Sequence, residues 1–97
     1  MDTIFVVTRS RSDLKNDLKA GRISQCPCNF DDLSDFKKFI RNSSASCHDT
    51  TLGYKVKDEG VVIGIRDEVL IENHYYVVFG CTYEFDKNRL VYHLKMA

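Results

Sequence analysis

The sequence predicts an α+β domain in which a mostly antiparallel sheet carries two helices on one face, in the order β-α-α-β-β-β-β. Three observations predict this class. An apolar run opens the chain, two segments with helical spacing follow, and an alternation of period two begins at Leu52 and continues almost to the end. A chain of 97 residues has room for one hydrophobic core, so we expect a single domain over residues 1–97.

The first strand is predicted over residues 3–8, where Ile4, Phe5, Val6 and Val7 follow one another. A continuous run of apolar, partly β-branched residues is typical of a strand that is buried on both faces. The sequence does not decide whether this strand is central in the sheet or at an edge.

A short first helix is predicted between Ser12 and Gly21. Ser12 has a side-chain oxygen of the kind that caps a helix N-terminus, and Gly21 suits the left-handed position that often ends a helix. Leu14 and Leu18 lie four residues apart and form a narrow apolar stripe.

The second helix is predicted to begin after Asn29, which can cap it, and to run to Arg41. Aspartates stand near its start and basic residues near its end, so the charges complement the helix dipole. Its apolar residues follow three-and-four spacing and should face the core. They are Phe30, Leu33, Phe36, Phe39 and Ile40.

The second half of the chain is predicted to form a four-stranded meander, because short turns between successive strands make antiparallel neighbours. The predicted strands are 52–56, 61–71, 75–85 and 90–96, with a turn at 86–89. Within the strand at 61–71, Arg66-Asp67-Glu68 is either a tight turn between two short strands or a bend in one long strand.

The charge balance limits the classes of partner. Fourteen basic and fourteen acidic residues give a formal net charge of zero. A DNA mimic would be strongly acidic and a general phosphate-backbone binder would be basic, so neither class is favoured. The sequence shows no signal-peptide core and no apolar stretch of transmembrane length. With four cysteines that we interpret as reduced thiols, these features predict a cytoplasmic protein.

Cys26, Cys28, Cys47 and His48 are the residues that could hold a metal ion. Two close pairs of nitrogen or sulfur ligands are the usual form of a tetrahedral zinc site. One residue separates the first pair and none separates the second, which is poor spacing for side chains that must converge. We therefore expect structural thiols and no cofactor, with a small zinc-binding protein as the alternative. Cys81 is predicted to be a core position of the third C-terminal strand.

Arg9, Arg11 and Ser12 are the best candidates for binding an anion. They lie between a buried strand and a helix start, where free backbone N–H groups favour a phosphate or a carboxylate. Two arginines can also clamp such a group bidentately, which would suit nucleic acid or a small anion. The competing interpretation is a solvated connector in which Ser12 only caps the helix.

Tyr76 and Val78 are predicted to lie on the face of the sheet that the helices leave open. Tyr75 and Tyr76 must point to opposite faces of a regular strand, and the alternation from Tyr75 to Phe85 assigns the odd positions to the core. An apolar face with one or two tyrosines fits a surface for protein binding or self-association.

These features favour a small cytosolic module that binds another protein through a sheet face or edge, as an inhibitor or adaptor. Small accessory proteins of phages and mobile elements are often of this kind. The sequence contains no glycine-rich phosphate loop and no paired-carboxylate signature, so we expect no enzymatic activity. A second copy of the chain is another partner that such a surface fits. Nucleic acid is less favoured, and no membrane partner is expected.

Overall fold

The computed structural model describes residues 2–42, 49–56 and 62–97, in which five strands form one mixed sheet with two helices packed on it. The strands are β1 (Asp2–Ser10), β2 (Asp49–Lys55), β3 (Glu68–Ile71), β4 (His74–Glu84) and β5 (Arg89–Met96), and the helices are α1 (Arg11–Lys19) and α2 (Leu33–Arg41). Their order in the sheet is β2-β1-β5-β4-β3, with β1 and β5 parallel and the other neighbours antiparallel. The predicted α+β class, with a mostly antiparallel sheet and two helices, is confirmed.

The position of β2 differs from the predicted meander. β3, β4 and β5 are consecutive antiparallel neighbours, but β2 pairs with β1 at the far side of the sheet. This pairing places β1 inside the sheet, with a neighbour on each side. Ile4 and Val7 point to opposite faces of β1, yet both are buried. A strand that is apolar on both faces gains most from such an interior position.

The hydrophobic core lies between the helices and one face of the sheet, which we call the inner face. α1 contributes Leu14 to this core, and α2 contributes Phe36 and Ile40, which are almost fully buried. Among the described residues, no helix is long and apolar enough to cross a membrane. The sheet residues of the core cluster are Phe5, Val7, Leu52, Tyr54, Ile71, Tyr76, Val78 and Leu94.

α2 begins at a different residue from the one predicted. Asp32 caps it by accepting the N–H of Asp35 at 2.8 Å, whereas Asn29 lies against the edge of β2. The Asn29 amide donates to the carbonyl of Thr51 at 3.0 Å and accepts the N–H of Gly53 at 3.3 Å. Asn29 is therefore used to cover an edge strand, whose unpaired backbone groups would otherwise remain open to other chains.

A β-bulge in β4 changes the face to which alternate residues point. The register against β5 shifts between Val78 and Gly80, so Phe79 is an extra residue on β4. Before the bulge the even-numbered side chains lie on the inner face, and beyond it the odd-numbered ones do. Cys81 was predicted to be a core position, but it lies past the core cluster with Tyr83, and both side chains are exposed.

Only the C-terminal part of the strand predicted over 61–71 is formed, as β3. Residues 62–67 are not in a strand, and Arg66 lies in a turn with a φ of 76°. The Asp67 carboxylate stabilises this turn by accepting the N–H of Gly64 at 2.7 Å. The segment thus contains a tight turn before one short strand, and Val61 lies outside the described residues.

Candidate binding surface on the outer face of the sheet

Tyr76 and Val78, the predicted partner-binding residues, are buried in the core. Their side chains are 2% and 0% exposed, so the prediction of an accessible Tyr76/Val78 surface is wrong. The alternation that assigned the odd positions to the core runs across the bulge at Phe79, and only its second half follows that assignment. Gly80 is the sequence signal that could have located the bulge, because a glycine inside a strand often marks one.

Three large exposed apolar side chains of β3 and β4 lie on the opposite face, which we call the outer face. Tyr75 stands directly across from Leu70 of β3, and residues paired in this way project from the same face. Leu70, Tyr75 and Phe79 are 56%, 60% and 55% exposed. The Phe79 ring lies 6.1 Å from that of His93 on β5, between centroids. Half-buried Val77 lies between Tyr75 and Phe79 on β4. We define the outer patch as Leu70, Tyr75, Val77, Phe79 and His93.

Opposite charges flank the outer patch. Val77 is aligned with Glu68 on β3 and with Lys95 on β5, so these three residues form one row across three strands. Glu68 and Lys95 are both exposed, and neither makes an ion pair with another residue in the described part of the chain. The Lys95 ammonium lies 5.9 Å from the centroid of the Phe79 ring.

A tight turn between β3 and β4 sets the register that forms the patch. Glu72 and Asn73 are the two turn residues, and both have positive φ, 52° and 66°, as a type I′ turn requires. Asn tolerates this conformation, and Glu72 is held by its side chain. Its carboxylate accepts the N–H and the hydroxyl of Ser24 at 3.0 and 3.1 Å, and also the N–H of Gln25.

The predicted anion site is not formed by Arg9, because Arg9 points into the protein and is 7% exposed. One terminal nitrogen donates to the Tyr76 hydroxyl at 3.1 Å, and the other lies 3.1 Å from Oδ2 of Asp17. Burial by itself lowers the pKa of Arg9, but Tyr76 and then Asp17 outweigh burial, and the pKa is raised. The buried guanidinium therefore stays charged, and it binds Tyr76 and Asp17 inside the protein instead of an anion at the surface.

Arg11 and Ser12 do not form an open clamp either. The Arg11 Nε donates to the Thr50 hydroxyl at 3.0 Å, and its guanidinium lies 3.9 Å from the centroid of the Phe39 ring. Ser10, not Ser12, caps α1 by accepting an N–H of the first turn at 3.2 Å. Both arginines therefore make contacts within the protein. Arg9 connects β1 with α1 and β4, and Arg11 connects α1 with β2 and α2.

Asp17 is the centre of a buried polar cluster that the sequence did not reveal. Its side chain is 6% exposed, and its carboxylate lies 3.1 Å from Arg9, from Arg22 and from His74 Nε2. On the sequence Asp17 has the pattern of a solvated helix charge, alternating with lysines. The cluster connects β1, α1 and β4. Within the described residues, Nε of Arg9 is the only buried side-chain nitrogen or oxygen that has no hydrogen-bond partner.

The cysteine prediction is only partly within the described residues. The Cys26 thiol donates to the Pro27 carbonyl at 3.3 Å, and its pKa is raised by burial and by the nearby aspartates, Asp32 first. Cys47 and His48 lie outside the described residues. Within the ranges that the structure describes, no group of three or more His, Cys, Asp or Glu could hold a metal ion. The zinc site remains a prediction.

Cys28 lies on the outer face at the far end of the sheet, over β2. A Cβ added to Gly53 would stand 2.8 Å from the Cys28 sulfur, so a larger residue at position 53 would require the Cys28 side chain to move. The Cys28 N–H also donates to the Gly53 carbonyl at 2.7 Å. At Gly53 the outer face of β2 is thus in contact with the Cys28 side chain.

A cleft of about 590 Å³ lies between β2 and β3, the two edges of the sheet. Tyr54 lies at this cleft, and burial, followed by the charge of Glu72, raises its pKa. Residues 57–61, which link two of the lining segments along the chain, lie outside the described residues. The other lining residues are Phe5, Gln25, Lys55, Val56, Val62, Ile63, Asp67, Glu68, Val69, Leu70 and Ile71.

Comparison with protein-family models, with curated protein sequences and with solved structures finds no match to this chain.

Proposed function

We propose that this protein is a small protein-binding module of the cytoplasm, an inhibitor or adaptor, and that the outer patch is its contact surface. The observation that carries the proposal is the exposure of Leu70, Tyr75 and Phe79, each more than half exposed, on the same face of β3 and β4. Contiguous exposed apolar side chains on a soluble domain are typical of interaction sites. Single exposed apolar side chains, in contrast, are ordinary on protein surfaces.

The patch has the composition and the support that protein interfaces use. Aromatic side chains on a rigid scaffold supply large contact area at a small cost in conformational entropy. Tyr75 and Phe79 are carried by β4, which pairs with β5 on both sides of the bulge and with β3 from His74 to Val77. Glu68 and Lys95 stand beside the apolar centre, as the charged rim of an interface does, and would orient a partner.

A photocrosslinking amino acid placed at Tyr75, and separately at Phe79, tests this assignment in cells. We expect each position to yield covalent adducts with a polypeptide, identified by mass spectrometry. The matched control is the same crosslinker at Lys87, an exposed residue of the turn between β4 and β5. The adduct yield at Lys87 measures crosslinking by random collision, because Lys87 lies outside the outer patch.

Equal adduct yields at Tyr75, Phe79 and Lys87 would remove the outer patch as the contact surface. The identity of the adducts carries separate information. A different protein or a second copy of this chain would each support a protein-binding function, whereas only the second would make the module self-associating.

A further inference from the structure

We infer that the outer patch is an interface between two copies of this chain, related by a two-fold axis that runs parallel to β4 above Val77. The inference rests on the proposed function and names the partner at the same surface. Its basis is the charge row of Glu68, Val77 and Lys95, which is negative on one side of β4, apolar at β4 and positive on the other side.

This row is complementary to a rotated copy of itself. A rotation of 180° about an axis parallel to β4 carries β3 of one copy over β5 of the other. Glu68 then faces Lys95 of the second copy, and the reverse pair forms by symmetry, as an isologous interface requires. An axis running across the strands would instead place Glu68 over Glu68 and Lys95 over Lys95. The charges therefore select the direction of the axis as well as the partner.

The apolar residues occupy the centre of the same arrangement. Tyr75, Val77 and Phe79 lie along β4, so in the dimer they face their own copies along the axis. Two sheets that pack face to face lie about 10 Å apart, and side chains from both faces fill that space. Leu70 and His93 flank this line on β3 and β5. Contact at the patch would remove from water the large apolar side chains that are now exposed on the outer face.

Oligomeric state tests the inference, measured by sedimentation velocity and native mass spectrometry over a range of protein concentrations. We expect the wild-type chain to form a dimer of twice the 11.2 kDa monomer mass. Glu68→Lys and Lys95→Glu should each raise the dimer dissociation constant roughly tenfold or more, because each places like charges opposite each other at both symmetric sites. Asp86→Lys and Lys87→Glu make the same charge changes in the exposed β4–β5 turn and should leave the constant unchanged.

Restoring the complementarity shows whether the two charges act on each other across the interface. The double variant Glu68→Lys/Lys95→Glu exchanges the two charges and should dimerise like the wild type. An equimolar mixture of the two single variants should also associate, since each copy then offers the charge that the other lacks. Circular dichroism of every variant would check that the fold is kept.

Three results would overturn the inference. They are a wild-type chain that stays monomeric at every concentration, a wild-type dimer that neither single variant weakens, and single-variant losses that neither the double variant nor the mixture repairs. A monomer that still gives foreign adducts from Tyr75 or Phe79 would overturn self-association alone. A monomer with equal adducts at Lys87 would overturn the proposed function as well.

Discussion

Tyr75 and Tyr76 are adjacent on β4, yet one is 60% exposed and the other 2% exposed. A strand directs successive side chains to opposite faces, so this single step along the chain separates the outer patch from the core. The Tyr76 hydroxyl accepts a hydrogen bond from the buried Arg9, whereas Tyr75 lies across from Leu70 on the open face. The face on which each tyrosine lies, and not its residue type, therefore places Tyr76 in the stabilising core and Tyr75 in the proposed contact surface.

The two faces also differ in how the protein uses charge. Arg9 and Asp17 are paired and almost completely buried beside Tyr76 on the inner side. Glu68 and Lys95 stand exposed on the outer side and have no ion-pair partner in the described residues. Removing a buried charge should therefore affect folding, and changing an exposed one should affect binding.

Asp17→Ala should lower the free energy of unfolding most, because it removes the carboxylate that contacts Arg9, Arg22 and His74. The guanidinium of Arg9 would remain buried without a counter-charge, which typically costs about 3–5 kcal/mol. Urea denaturation at neutral pH would measure the loss in the free energy of unfolding. Asp13→Ala, an exposed aspartate on the same helix, is the matched control and should cost less than about 1 kcal/mol. Equal losses for the two variants would show that the buried cluster does not stabilise the fold.

Removal of the hydroxyl should affect Tyr76 more than Tyr75. Tyr76→Phe deletes the acceptor of the Arg9 hydrogen bond and should lower the free energy of unfolding by about 1.5–3 kcal/mol, the range for a hydrogen bond to a charged group. Tyr75→Phe changes an exposed side chain and should stay within about 0.5 kcal/mol of the wild type. Chemical denaturation of both variants under one set of conditions provides the measurement, and a reversed order of the losses would contradict the face assignment.

The class of fold was predictable from the sequence because it depends on periodicity. Helical spacing placed Phe36 and Ile40 in the core, and the apolar run at residues 4–7 indicated a strand buried on both faces, as β1 is. The position of β2 was not predictable in this way. Its neighbour is β1, far away in the chain, and the rule that short turns join adjacent strands does not reach across the helices.

The candidate surface was misplaced by one residue for a specific physical reason. Phe79 adds one residue to β4, and a shift of one residue exchanges the two faces of a strand. The sequence showed the correct pair, Tyr75 and Tyr76, but the alternation assigned each to the other's face. The buried cluster was missed because Arg9 and Asp17 have no feature in the sequence that distinguishes a buried ion pair from two solvated charges.

Tyr54, a third tyrosine and one that is buried, should make stability depend on pH. Burial, then the charge of Glu72, raises its pKa in the folded protein, whereas an unfolded tyrosine titrates near pH 10. A raised pKa means that the folded state holds the proton more tightly. The stabilisation is therefore complete below about pH 10 and falls above it, by about 1.4 kcal/mol per pH unit for this group.

Tyr54→Phe removes the titrating hydroxyl and keeps the buried ring, so its stability should fall less steeply above about pH 10 than that of the wild type. Urea denaturation of both proteins across this range gives the two slopes. Below about pH 9 the curves should run parallel, which separates the titration from any constant effect of the substitution. Parallel curves at every pH would show that the Tyr54 hydroxyl is equally free to ionise in the folded and unfolded chain. Tyr54 would then not share the buried inner environment that sets Tyr76 apart from Tyr75.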